Sequence, residues 1–123
     1  MSNVSFILLY VENVARSAEF YSRLLDKPVP EASPNFALLP VGPGLMLGLW
    51  SKGDVAPAPE GWPGASEIAV TLEDEAAVDA AHKRWAAQGA VIAQTPTHAD
   101  FGYTCLALDP DGHRVRAFHP ADR

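Results

Sequence analysis

Apolar residues occur along the chain in short runs, and most of these runs end at an asparagine, aspartate, proline or glycine. The first run, FILLYV at 6–11, is followed by Asn13 and then by VARSAEFYSRLL. A bounded apolar run of this length predicts a buried strand, and the following segment has the periodicity of an amphipathic helix. Asn13 is the expected N-cap, because its side-chain oxygen can accept a hydrogen bond from the first turn.

The same order of elements is predicted a second time. Glu67–Leu72 reads as a strand, Asp74 as an N-cap, and EAAVDAAHKRWAAQG as a helix that ends before Gly89. Apolar stripes at helical spacing support both helices. The stripes are Val14, Ala18, Tyr21 and Leu25 in the first helix, and Val78, Ala81 and Trp85 in the second.

Each predicted helix leads to three further strand candidates. They are a short one near Pro28–Pro30, then Phe36–Val41 and Leu45–Ser51, and in the second half Val91–Gln94, Tyr103–Leu108 and His113–Phe118. A βαβββ unit is therefore predicted twice, which makes the fold class α+β. We expect a single domain over 1–123, with module 1 at about 4–51, a linker rich in Pro, Gly and Ala at about 52–64, and module 2 at about 65–119.

Alternation along the strands separates two faces of each predicted sheet. One face is aliphatic and is expected to pack under the helices: Ile7, Leu9, Val11; Leu45, Leu47, Leu49; Ile68, Val70, Leu72; Val115, Ala117. The opposite face is mixed: Phe6, Leu8, Tyr10; Met46, Gly48, Trp50; Glu67, Ala69, Thr71; Arg114, Arg116, Phe118. Aromatic, sulfur-containing and sparse charged side chains together are typical of a ligand cavity.

Composition and charge narrow the function classes. Apolar residues make up 48% and charged residues 20%, as in soluble globular domains, and no apolar run approaches bilayer length. The net charge is −6 and the basic residues are scattered, so neither nucleic acid nor a membrane is an expected partner. Cys105 is a lone cysteine in an apolar strand, and the N-terminus lacks the basic region of a signal peptide. We expect a cytoplasmic protein.

Three stretches resemble the vicinal oxygen chelate superfamily of glyoxalases, extradiol dioxygenases and bleomycin resistance proteins: LLYVENVARSAEFYSRLL, SEIAVTLED and DPDGHRVRAF. The resemblance implies two modules that form a cupped mixed sheet with the helices outside. It also implies a homodimer, in which modules of different chains can complete each cup. The motifs LWS at 49–51, FGYT at 101–104 and DPDGHRVR are similar to those of phenazine-antibiotic resistance proteins, which capture a planar ligand without transforming it.

The resemblance maps the metal-ligand positions of the enzymatic members onto Phe6, Gly48, Glu67 and Arg116. Only Glu67 could ligate a divalent ion, and firm binding generally needs three or more protein ligands. We therefore expect neither a metal nor another cofactor, and no catalytic residue.

Trp50 is the leading candidate for a ligand contact. It could fill a core as large aromatics usually do, but its neighbours already supply the helix-packing face, and the resemblance assigns ring stacking to this position. Further residues are candidates for the cavity wall, and each could equally belong to a core: Phe6, Phe36, Met46, Tyr103 and Phe118. Glu67 and Arg116 could pair with each other or contact the polar edge of a ligand.

The sequence thus predicts a metal-free, non-enzymatic homodimer that sequesters a planar aromatic antibiotic or related metabolite. Two alternatives remain open at this point. One is an enzyme of the same superfamily, such as a lyase, isomerase or dioxygenase. The other is an accessory domain of a biosynthetic cluster.

Overall fold

The computed structural model describes residues 3–122, in which two α-helices and eight strands follow one another. Their bounds are β1 Phe6–Val11, α1 Val14–Leu25, β2 Glu31–Ala32, β3 Phe36–Gly42, β4 Leu45–Ser51, β5 Glu67–Thr71, α2 Glu75–Ala87, β6 Val91–Ala99, β7 Gly102–Leu108 and β8 Arg114–Pro120. A short 3-10 turn, Lys52–Asp54, follows β4. The chain divides between Gly61 and Trp62 into two compact units, called unit 1 and unit 2 below.

Unit 1 is a four-stranded sheet with strand order β1-β4-β3-β2 and one helix on it. β1 runs parallel to β4, and the remaining pairs are antiparallel. Helix α1 starts where the Asn13 side chain accepts a hydrogen bond from the Arg16 amide, at 2.9 Å. The helix contacts β3 and β4 and buries their aliphatic face, including Leu39, Leu47 and Leu49.

Unit 2 repeats this plan with the strand order β5-β8-β7-β6. β5 is parallel to β8, and the Asp74 carboxylate caps α2 by accepting from the Ala77 amide at 2.7 Å. The helix packs on β6, β7 and β8 through Trp85 and its stripe neighbours. Gly89, just past the helix, has φ = 92°, a left-handed conformation that favours glycine.

The predicted α+β class with two βαβββ units is confirmed. None of the helices in residues 3–122 is long and apolar enough to cross a membrane.

Three details of the prediction were wrong. The short strand lies at Glu31–Ala32 instead of near Pro28–Pro30, because prolines have no amide hydrogen to donate to a sheet.

The second strand of unit 2 is longer than predicted, since β6 runs from Val91 to Ala99 and includes Pro96. A proline is tolerated there because β6 is an edge strand whose register shifts around it. In α1 the buried leucine is Leu24, whereas Leu25 is half-buried, because the packed face is rotated toward Ser17.

Candidate functional site

Unit 1 carries an apolar surface on the side of its sheet opposite α1. Strand pairing sets Phe6, Leu8 and Tyr10 of β1 beside Met46, Gly48 and Trp50 of β4, and those beside Pro40, Leu38 and Phe36 of β3. We call these nine residues the aromatic face. Phe6 is 49% exposed, Leu8 42% and Tyr10 38%. Contiguous exposed apolar side chains of this kind mark an interaction or ligand surface.

Trp50 lies at one end of the aromatic face. Its ring meets the Tyr10 ring edge to face, with centroids 6.2 Å apart and planes at 75°. Phe36 is its pairing neighbour on β3, and Trp50 itself is only half-buried. The structure therefore brings together four of the predicted wall residues, Phe6, Phe36, Met46 and Trp50, on one accessible face. Sequence alternation had placed Tyr10 on this face, but not in contact with Trp50.

Arg116 is the central charged residue of unit 2. Its side chain is only 15% exposed, yet its guanidinium is well supplied with acceptors. Nε donates to both carboxylate oxygens of Glu67, at 3.0 and 3.1 Å. Nη1 donates to Thr104 Oγ1 at 3.0 Å and to Gln94 Oε1 at 3.3 Å. The interior arginine is thus stabilised by an ion pair and two polar neighbours.

The turn between β7 and β8 fixes the position of Arg116. Asp109 is almost fully buried, and its Oδ1 accepts from the amides of Asp111 and His113, both at 2.8 Å. Gly112 completes the turn with φ = 94°, which L side chains rarely adopt. Because this turn sets where β8 begins, it also sets which β8 residues share the face of Glu67.

Two guanidiniums share one carboxylate in unit 2. Arg114 Nε lies 3.5 Å from Glu67 Oε2, in addition to the Arg116 contacts, so these three groups together carry one net positive charge. We call Glu67, Gln94, Thr104, Arg114 and Arg116 the arginine cluster. The cluster is positive in a chain whose net charge is −6.

Two aromatic rings border the arginine cluster. The Phe101 ring lies 5.6 Å from the Arg116 guanidinium carbon, within the range of a cation–π contact. Phe101 also packs edge to face on Phe118, with centroids 5.9 Å apart. Phe118 was a predicted wall residue; Phe101 was not, although it belongs to the FGYT motif. Gln94 and Thr104 were missed because nothing local in the sequence indicates which β6 and β7 residues lie on the same side of the sheet as Arg116.

Tyr103, a predicted wall residue, lies on the opposite face from Arg116. It pairs with His119 on β8, and its hydroxyl donates to Asp79 of α2 at 2.7 Å. This hydrogen bond is the main reason that the pKa of Tyr103 is raised above its ordinary value. On this helix side Tyr103 lines a separate cavity of about 410 Å³ with His98, His119 and the first residues of α2.

The residues of unit 2 do not fit a metal ion. The one candidate ligand, Glu67, is engaged by Arg116 and Arg114, whose positive charges oppose a cation at that carboxylate. Across the described part of the chain, no three His, Cys, Asp or Glu side chains cluster in a way that could hold a metal. In unit 1, Phe6 and Gly48 offer no donor side chain.

Comparisons with known proteins agree with this architecture. The sequence profile of the glyoxalase/bleomycin resistance protein/dioxygenase superfamily matches residues 3–117. The chain belongs to this superfamily. It is similar to the phenazine antibiotic resistance protein EhpR of Enterobacter agglomerans, with 33% identity over 112 residues, which cover 89% of this chain and 85% of that protein.

Solved structures show the same fold. A protein of Agrobacterium tumefaciens studied by NMR is 39% identical, covers 99% of this chain and 100% of its own, and superposes with a TM-score of 0.89. A glyoxalase-related enzyme of Fulvimarina pelagi, 22% identical, covers 97% of this chain and 88% of its own with a TM-score of 0.85. The superfamily thus contains resistance proteins and enzymes, and its fold alone does not decide between these functions.

Proposed function

We propose that the protein binds a planar aromatic small molecule of the antibiotic class and sequesters it chemically unchanged. The observation that carries the proposal is the aromatic face, on which Trp50, Phe36 and Phe6 are accessible on one side of the sheet. The similarity to a phenazine antibiotic resistance protein supports the same class of ligand. Ring stacking and apolar burial provide the affinity, since both need only a flat ligand surface.

We propose the arginine cluster of unit 2 as a second, separate ligand-contacting surface. Arg116 is already paired with Glu67, so it does not need a ligand for its own stability. The extra positive charge from Arg114 nevertheless favours a ligand with a carboxylate or phenolate substituent. At this surface we expect phenazine-1-carboxylate to bind more tightly than unsubstituted phenazine, and the difference to fall when salt is raised.

Isothermal titration with phenazine-1-carboxylate tests the stacking assignment. Trp50→Ala is expected to weaken binding about 30-fold, as for a central aromatic contact worth ~2 kcal/mol. Trp62→Ala is the matched control, because Trp62 is 83% exposed and lies outside the aromatic face. Equal affinities of the two variants, with circular dichroism unchanged, would remove Trp50 from the site.

Sequestration and catalysis are separated by the fate of the ligand. We expect mass spectrometry to recover the ligand unchanged after prolonged incubation with the protein, with or without added Mn²⁺, Ni²⁺ or Zn²⁺. Turnover that depends on a metal and stops with a chelator would instead establish an enzyme.

We further propose a homodimer. Its support is the exposed edge strand β1 of unit 1 and the residue near its start: Val4, just before β1, is 78% exposed and Ile7 37%. Light scattering coupled to gel filtration is expected to give twice the chain mass of 13.2 kDa. A mass that stays at one chain at high protein concentration would rule the dimer out.

A further inference from the structure

The centre of the aromatic face is a glycine held between two large side chains. Gly48 is buried, and it pairs with Leu8 on one side and Leu38 on the other. A Cβ built on Gly48 would lie 2.6 Å from Leu8 Cδ2 and 3.0 Å from Phe36 Cζ. Both contacts are far closer than the ~3.5–4.0 Å optimum between carbon atoms, so no larger residue fits without moving its neighbours.

Space, and not backbone conformation, is the reason for a glycine here. Gly48 is absent from the left-handed glycines, which include Gly44, Gly102 and Gly112, so its backbone is one that any residue could adopt. Its lack of a side chain matters because Leu8 from β1 and Phe36 from β3 converge over it. The two side chains cover the Gly48 backbone and fill the middle of the aromatic face.

We propose that Gly48 is a specificity-determining residue of the aromatic face. By letting Leu8 and Phe36 close over the middle of the sheet, it leaves the centre of the face filled, beside the edge-to-face pair of Tyr10 and Trp50. A filled centre offers more atomic contacts to a flat fused-ring ligand than a centre with an open gap would. A ligand of the same outline with puckered rings touches the face through fewer of its atoms, and the remaining atoms lose their dispersion contacts. This inference rests on the proposed function, and it names flatness as the property that the site selects.

Two probes measure this selection directly. Phenazine is flat, whereas octahydrophenazine has the same tricyclic outline with saturated, puckered outer rings. We expect the wild-type protein to bind phenazine at least tenfold more tightly than octahydrophenazine. Gly48→Ala displaces Leu8 and Phe36, and is expected to weaken phenazine binding about tenfold and to bring the affinity ratio of the two probes close to one.

Gly42→Ala is the matched control for the added methyl group. Gly42 lies in the same sheet with no left-handed φ, and a Cβ there would meet only Leu45 Cβ, at an ordinary 3.9 Å. We expect the Gly42→Ala variant to keep the wild-type affinity ratio of the two probes. Leu8→Ala tests the same idea without a clash, because it uncovers Gly48 and opens a notch in the surface. Its expected effect is at least a threefold fall in the preference for phenazine.

The outcomes separate the two proposals. If the wild-type protein binds neither probe nor phenazine-1-carboxylate, the proposed function fails and this inference fails with it. If it binds phenazine but prefers it less than threefold, or if folded Gly48→Ala and Leu8→Ala both keep the wild-type ratio within twofold, the role of Gly48 is refuted while the binding function stands. Should Gly48→Ala not fold, the Leu8→Ala ratio alone decides.

Discussion

Arg116→Met is the substitution whose effect on stability follows most directly from the structure. Methionine keeps most of the length and apolar stem of arginine but removes the guanidinium. Glu67 then loses both Nε contacts, and Thr104 loses the donor at 3.0 Å. Thr104 is 1% exposed, so water does not readily replace that donor, although its hydroxyl still donates to the Ala117 carbonyl at 3.0 Å.

Burial sets the magnitude of this effect. Breaking a fully buried ion pair costs roughly 3–5 kcal/mol, and losing an exposed pair costs about 0.2–1 kcal/mol. Arg116 is 15% exposed, but Glu67 is 34% exposed and keeps Arg114 at 3.5 Å, so the cost lies between these limits. We expect a loss of about 2 kcal/mol. At an unfolding entropy of ~0.26 kcal/mol/K for 123 residues, Tm falls by about 8 °C.

Urea denaturation of a mutant cycle tests the reasoning. The loss of unfolding free energy in the double variant Glu67→Gln/Arg116→Met should be smaller than the sum of the two single losses by at least ~1 kcal/mol. The reason is that both single variants remove the same interaction. Arg114→Met is the matched control, and its single 3.5 Å contact from a more exposed side chain should be worth less than about 0.5 kcal/mol. A folded Arg116→Met protein within ~0.5 kcal/mol of wild type would refute the account of the arginine cluster.

Three further predictions concern other positions. Asp109→Ala should cost about 1–3 kcal/mol in urea denaturation because two turn amides lose their acceptor, whereas Asp109→Asn keeps an oxygen and should cost clearly less. The pKa of Tyr103 is raised above 10.0, so its contribution to stability is present below that pH and is lost as pH rises through the folded pKa. Asp79→Asn should lower that pKa in an ultraviolet titration, and no change would contradict the hydrogen-bond assignment. Burial raises the pKa of the Cys105 thiol, so a thiol reagent should react with it only after unfolding, and rapid labelling of the native protein would show that the strand opens.

The repeated order of strands and helices could be predicted because its signals are local. Asn13 and Asp74 are N-caps in the structure as expected, and each acts through an amide three residues away. The composition of the aromatic face also followed from alternation along β1 and β4, where the pairing of Phe6 with Met46 and of Tyr10 with Trp50 is regular.

The arginine cluster of unit 2 depends on pairing between strands that are distant in sequence. Alternation leaves open which of two successive β7 residues lies on the same side of the sheet as Arg116. A register shift of one residue would put Tyr103 there in place of Thr104. Gln94 was harder still, because β6 changes register on both sides of it. Arg116 and its possible partner Glu67 were visible in the sequence, whereas the acceptors Thr104 and Gln94 became evident only once the strands were aligned.

In each sheet, one of the two edge strands is short or interrupted. In unit 1 the last strand, β2, is only two residues long and follows two prolines; in unit 2, β6 contains Pro96 and irregular pairing. Short, bulged and proline-bearing edges resist the addition of strands from other molecules, which is how β-proteins avoid aggregation. Under the proposed function, one protein molecule is needed for each ligand molecule removed, which requires an abundant protein. The interrupted edges at β2 and β6 would then help the chain to remain dispersed at high concentration.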